Sequence, residues 1–147
     1  MDRAFSFLKL IFMSIPFHPR MGQVLVGDFS DLKEPEINKI RPVIVISPKL
    51  PYRAGLVAVV PISLTAPLHS MPYCYRLSKN YHPKESDDLE TWAKCDLVMN
   101  VSLRRLQGFK VGRRKWEIPN LSMQDLDGVR VAVMKGLGLD RLKIEPS

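Results

Sequence analysis

Val43-Ile44-Val45-Ile46 is an unbroken run of β-branched residues. Such a run suits a strand buried on both faces. Pro42 precedes it and pushes Arg41 into extended backbone. One guanidinium therefore stands at the mouth of an apolar strand, where its planar fork is suited to a phosphate. On these residues alone the plainer reading, a solvated arginine ahead of a core strand, is preferred. The rest of the chain shifts that balance.

Gly22 to Phe29 reads as a first strand with partial alternation, and Arg41 to Ser47 as a second, with a polar loop from Ser30 to Ile40 between them. Pro48 to Gly55 turns the chain. Leu56 to Ser63 is a third strand, in which Pro61 predicts a bulge or an edge. Tyr73 to Leu77 and Thr91 to Met99 read as further strands, the latter with Trp92 in the core. Between them Ser78 to Thr91 is polar and acidic in its second half, and reads as a long exposed excursion. Ser122-x-x-Asp125 resembles a capping box, and Leu126, Val129, Val133 and Leu137 follow at helical spacing. Gly136 and Gly138 supply the stop. Short strands followed by one C-terminal amphipathic helix predict a mainly β fold, a small and strongly bent barrel with the helix packed on it.

The length of 147 residues suits one domain. We place it at residues 21–140, with an N-terminal tail at 1–20 and a C-terminal tail at 141–147. Ala4 to Met13 is apolar except for Ser6 and Lys9, but this run is too short to span a bilayer. No small-residue cleavage site follows it, so it does not read as a signal peptide.

A net charge of +7 and a pI near 9.6 point to a polyanionic partner, nucleic acid ahead of an acidic membrane. Leu103 to Lys115 concentrates Arg104, Arg105, Lys110, Arg113, Arg114 and Lys115 without an acidic residue, with Phe109 and Trp116 interleaved. Cations that track a backbone and aromatic faces that stack bases characterise single-strand binding. A solvated basic hairpin fits these residues equally well. Cys74, Cys95 and three histidines show neither Cys-x-x-Cys nor His-x-x-x-His spacing, so no disulfide framework, metal site or cofactor is expected.

Four segments in order carry a family resemblance. They are Gly22-x-Val24-x-x-x-Asp28, Glu36-x-x-Lys39-x-Arg41-Pro42-x-x-Val45, Val59-Val60-Pro61-Ile62-Ser63, and Lys94-Cys95-Asp96 followed by Val101-Ser102-x-x-Arg105-Leu106. From Gly22 to about Leu139 the chain resembles the PemK/MazF toxins of type II toxin–antitoxin systems. The resemblance implies an SH3-like barrel of the PemK/MazF–CcdB type. It also implies a cytoplasmic homodimer that cuts single-stranded RNA without a metal and is neutralised by a cognate antitoxin. Ser63 stands where threonine is usual in the family, with Thr65 two residues on, and Lys94 stands where some members have arginine.

Metal-free RNA cleavage needs a base for the 2′-hydroxyl, a cation for the charged phosphorane and an acid for the leaving 5′-oxygen. Asp96 is the candidate base and Arg41 the phosphate clamp. On a strand, Lys94 and Asp96 would share one face with Cys95 on the other. Lys94 could then protonate the leaving oxygen or hold an adjacent phosphate, and Ser63 could bond the phosphate. A same-face surface ion pair, contributing at most about 1 kcal/mol, is the competing reading of Lys94 and Asp96. Glu36 is expected to orient Arg41 or shape the loop beside RNA. Lys39, Thr65, Arg104, Arg105, Arg113, Arg114 and Lys115 complete the expected RNA contacts. The rival functions are a CcdB-like gyrase poison and a barrel that binds RNA or antitoxin with weak catalysis. The absence of an aromatic residue from Gly138 to Ser147 counts against the gyrase poison.

Overall fold

The computed structural model describes residues 15–143. Of the tails expected at 1–20 and 141–147, residues 1–14 and 144–147 lie outside the described residues. The expected strand-rich order is present: β1 (Val24–Asp28), β2 (Ile40–Val45), β3 (Leu56–Ser63), β4 (Cys74–Arg76), β5 (Trp92–Lys94), β6 (Met99–Ser102), β7 (Leu106–Gln107), β8 (Phe109–Gly112) and β9 (Lys115–Glu117). The helix α1 (Met123–Gly136) follows. All the strand pairings are antiparallel.

The β-branched run behaves as its composition dictates. Ile44 joins one apolar cluster with Val24, Val60, Ile62, Val129 and Ala132, beneath α1. Val43 and Val45 join the other, with Leu25, Phe29, Val57, Val59, Val101 and Leu106. Alternate residues of one strand thus feed two cores, which explains why the run has no polar position.

The second core is enclosed by curling of the sheet. β6 pairs with β3 and β7 pairs with β1, and only a 3-10 turn over Leu103–Arg105 separates β6 from β7. The run Met99–Gln107 therefore crosses from one edge of the β1-β2-β3 sheet to the other. The result is a strongly curled antiparallel sheet that carries the expected C-terminal helix, and the ladder does not close into the barrel that was expected. Ser102 caps the turn by accepting the Arg104 N–H at 3.2 Å.

β5 and β6 lie end to end along the same edge of β3. Ile62 pairs with Ala93 and Val59 with Met99, so three steps on β3 face six on the partner run. The surplus is absorbed between Cys95 and Val98, where the Leu97 N–H bonds the Lys94 carbonyl at 3.2 Å. Pro61 lies opposite this surplus, so the bulge expected from the proline is found in the facing strand.

α1 starts as its sequence predicts: Ser122 Oγ accepts the Asp125 N–H at 3.1 Å. Asp125 does not complete a capping box. Its side chain is fully buried and accepts from Tyr75 Oη (3.1 Å), Tyr81 Oη (2.7 Å), Ser78 Oγ (2.7 Å) and the Ser78 N–H (3.1 Å). The helix can approach because Gly128 has no Cβ, which would otherwise lie 2.1 Å from the Tyr75 ring. Gly138, at φ 73°, ends the helical path. The Ser78–Thr91 segment is only partly the exposed excursion expected of it. Asn80, Tyr81 and Thr91 are buried, and the Asp125 knot ties the segment's start to α1. Trp92, expected in the core, is half-buried and donates to Glu90 Oε1 at 2.8 Å.

Candidate active site

A cleft of about 670 Å³ opens where β2 and β3 part. Their ladder ends at Val43–Pro61. Beyond it Ile40–Pro42 pairs only with β1, and Ile62–Ser63 pairs with β5. Pro42 and Pro61 flank the fork, and neither has an N–H with which to extend a ladder. Arg41 from β2, Ser63 from β3, Lys94 from β5 and the Glu34–Lys39 loop line the opening together with Pro61 and Leu97.

The two strand-borne cations have no ion pair among the described residues, whose salt bridges are Arg76–Glu90 and Arg105–Asp31. Arg41 and Lys94 are both half-buried and line the cleft. Ser63 Oγ accepts the Thr65 N–H at 3.0 Å, which leaves its own proton for donation. Glu34 and Glu36 are the carboxylates of the cleft. Three cations, two carboxylates and a hydroxyl thus surround a space able to take a phosphate and its flanking sugars.

The structure brings together Arg41, Lys94, Ser63, Glu36 and Lys39. It does not bring Asp96 with them. β5 ends at Lys94, and Cys95 and Asp96 form a turn rather than a continuation of the strand. Leu97 lines the cleft and Asp96 does not. The same-face expectation fails because it assumed an uninterrupted strand, and the competing Lys94–Asp96 ion pair is not formed either. Gly136 holds this turn from behind, since a Cβ there would sit 3.1 Å from Asp96 Cα. Glu34, Asn38 and Leu97 are cleft residues that the strand pattern gave no signal for.

Other expected contacts are distributed differently. Thr65 and Arg104 are exposed and outside the cleft. Arg105 directs its fork to Asp31, Nη1 to Oδ1 at 2.5 Å and Nη2 to Oδ2 at 3.1 Å, and Nη1 also reaches the Asp28 carbonyl. The hydrogen bond to Asp31 leads the causes that raise its pKa. Arg105 therefore anchors the loop that carries Glu36 and Lys39. Arg113, Arg114 and Lys115 stand on the β8–β9 hairpin, away from the cleft. The cysteines offer no poised nucleophile. Burial pushes the Cys95 thiol up to about 12, and burial likewise raises Cys74, with Lys94 opposing.

The curled antiparallel sheet, the forked strands and the cationic cleft define a small β domain built to handle a phosphodiester. The chain belongs to the PemK-like, MazF-like toxins of type II toxin–antitoxin systems, whose family pattern it matches over residues 20–135. Among solved structures it is similar to MazF from Deinococcus radiodurans, with 22% identity, a TM-score of 0.59, and coverage of 83% of this chain and 98% of that one. It is also similar to an endoribonuclease in complex with its cognate antitoxin from a mycobacterial species, with 15% identity, a TM-score of 0.58, and coverage of 83% and 97%. A third similar structure is the MazE–MazF complex of Deinococcus radiodurans, with 20% identity, a TM-score of 0.56, and coverage of 84% and 98%. Among curated proteins no sequence matches the chain. The family favours the ribonuclease reading of the sequence over the gyrase poison.

Proposed function

We propose that this toxin cuts single-stranded RNA in the β2–β3 cleft without a metal ion, leaving a 2′,3′-cyclic phosphate and a 5′-hydroxyl. The observation that carries this is the convergence of Arg41, Lys94, Ser63 and Glu36 on one opening from three strands and a loop. The Arg41 fork donates to two phosphate oxygens and stabilises the phosphorane. Ser63 donates a further hydrogen bond. Glu36 takes the 2′-hydroxyl proton, a role reassigned from Asp96 because Glu36 lines the cleft. Lys94 protonates the departing 5′-oxygen. The attacking 2′-oxygen forms a bond to phosphorus as the bond to the 5′-oxygen breaks, so no water or metal enters this step.

The similar structures support this reading, since one of them is an endoribonuclease held by its antitoxin. The reading extends to a homodimer acting on message in the cytoplasm and silenced by a cognate antitoxin. Among the described residues no helix is long and apolar enough to cross a membrane. Purified protein incubated with a defined single-stranded RNA in EDTA, followed by mapping of both new ends, tests the reaction. Activity lost in EDTA and restored by magnesium overturns the mechanism.

A further inference from the structure

β8 and β9 form a two-stranded sheet that pairs with no other strand among the described residues. Phe109 roots it in the core and contacts the His82 ring edge-on, with centroids 4.7 Å apart. Beyond that root the hairpin stands in solvent, and every residue of β9 is exposed. A lone two-stranded ribbon is marginal by itself, and core packing does not account for the outer half of this one.

The chemistry of that outer half is uniform. Lys110, Arg113, Arg114 and Lys115 are all exposed, and no acidic residue occurs from Leu97 to Trp116. None of the four forms a salt bridge among the described residues. Arg114 holds φ 56° at the two-residue tip, a left-handed position where glycine or asparagine is at ease and arginine is strained. A cation is kept there at the expense of the backbone. Trp116 is 47% exposed beside it. The Lys110 ammonium lies 5.9 Å from the indole centroid, near the outer limit of a cation–π contact, so a stacked base can displace it.

We propose that the β8–β9 hairpin is a second binding site for single-stranded RNA, with Trp116 stacking a base and Lys110, Arg113, Arg114 and Lys115 holding the flanking phosphates. Bases stack on an exposed indole whatever their identity, while the cations track the backbone. β7, from which the hairpin springs, lies two strands from β2 across the row Gln107–Val26–Pro42. That places the row beside Arg41 roughly 10 Å from β7 along the sheet. The proposal deepens the ribonuclease reading, since it makes the hairpin the part that grips long RNA.

The test uses the full chain and an unstructured RNA of about 20 nucleotides carrying 2′-O-methyl groups, which binds but has no nucleophile. Trp116→Ala is expected to weaken its binding about tenfold or more, with Trp116→Phe recovering most of the loss. Replacing Arg113 and Lys115 by glutamine is expected to reduce the log–log salt slope by about 0.7 per contact. Arg114→Gly should raise the thermal midpoint while lowering RNA affinity, a combination that a purely structural tip does not give. For cleavable RNA of about 20 nucleotides, KM should rise in Trp116→Ala. Unchanged affinity for the longer RNA in Trp116→Ala overturns the proposal, as does a loss of antitoxin binding with RNA binding intact. Wild-type protein that binds the 2′-O-methyl RNA through Trp116 yet cuts no RNA supports the hairpin site and overturns the ribonuclease reading instead.

Discussion

Arg41 on β2 and Ser63 on β3 line one cleft, although the ladder between their strands stops short of both, at Val43 and Pro61. The fork is the origin of the site. Pro42 and Pro61 deny the strands two donors where they separate. β3 then takes β5 as its partner, which carries Lys94 to the same opening. The strand end is held by the sheet, so the guanidinium is offered from a rigid base.

Arg41→Ala is expected to lower kcat about 10²- to 10³-fold at saturating RNA while the thermal midpoint stays within a few degrees. Arg41→Lys should not restore the rate, because an ammonium lacks the two-pronged donor geometry. Single-turnover cleavage beside a melting curve checks both. A near wild-type rate in Arg41→Ala removes Arg41 from the chemistry.

Glu36 and Asp96 can be separated by the same assay. Glu36→Gln is expected to lower kcat by roughly 10²-fold or more with little change in RNA affinity, as loss of a general base does. Asp96→Asn, which alters a carboxylate outside the cleft, should change kcat by less than about threefold. The opposite ranking would return the base to Asp96.

Arg105→Gln releases the loop from the far side of the curled sheet. The Asp31 pair is partly exposed, so the loss of stability should be about 1 kcal/mol or less. KM should nevertheless rise several-fold, because Glu36 and Lys39 ride on the loop that Arg105 anchors. Unchanged KM with lowered stability would confine Arg105 to packing.

The Asp125 knot gives the protein a pH signature at both ends. Burial alone would raise the Asp125 pKa, but the bonds from Ser78, Tyr81 and Tyr75 outweigh it and hold the carboxyl below its ordinary 3.8. Below 3.8 the unfolded chain binds the proton first, so this contribution is complete above that value and is lost as pH falls through the folded pKa. Tyr75 is raised to about 12, first by burial and then by its bond to Asp125. Between its ordinary 10 and 12 the unfolded chain loses the phenolic proton first, so stability falls as pH rises through that window. Denaturant midpoints across pH should decline at both ends. Asp125→Asn should cost about 2–3 kcal/mol at neutral pH and flatten the acid decline. Tyr75→Phe should flatten the alkaline one.

Some of this molecule is local and was legible from the chain. The run Val43 to Val45 suited a strand buried on both faces, and it is one. Pro42 marked extended backbone at Arg41, Pro61 marked a bulge or an edge, and Ser122 marked the helix start. The place of Arg41 at a strand mouth followed from Pro42, but its neighbours alone favoured a solvated arginine, and only the family resemblance turned it toward a phosphate. Other features depend on pairings between residues far apart, and no window of sequence contains those. The strand from Thr91 to Met99 read as continuous, yet it must match β3 at both ends, and the mismatch in register expels Cys95 to Val98 as a turn. That tertiary constraint, rather than any local preference, removes Asp96 from the cleft. Arg105 looked free in a basic stretch until the fold set Asp31, 74 residues away, against its fork. Asp125 looked like a cap until Tyr75, Ser78 and Tyr81 closed over it. Backbone preference acts within a few residues, whereas register and charge pairing are settled when distant strands meet. The elements were therefore written in the sequence, and the membership of the site was decided by the sheet that assembles it.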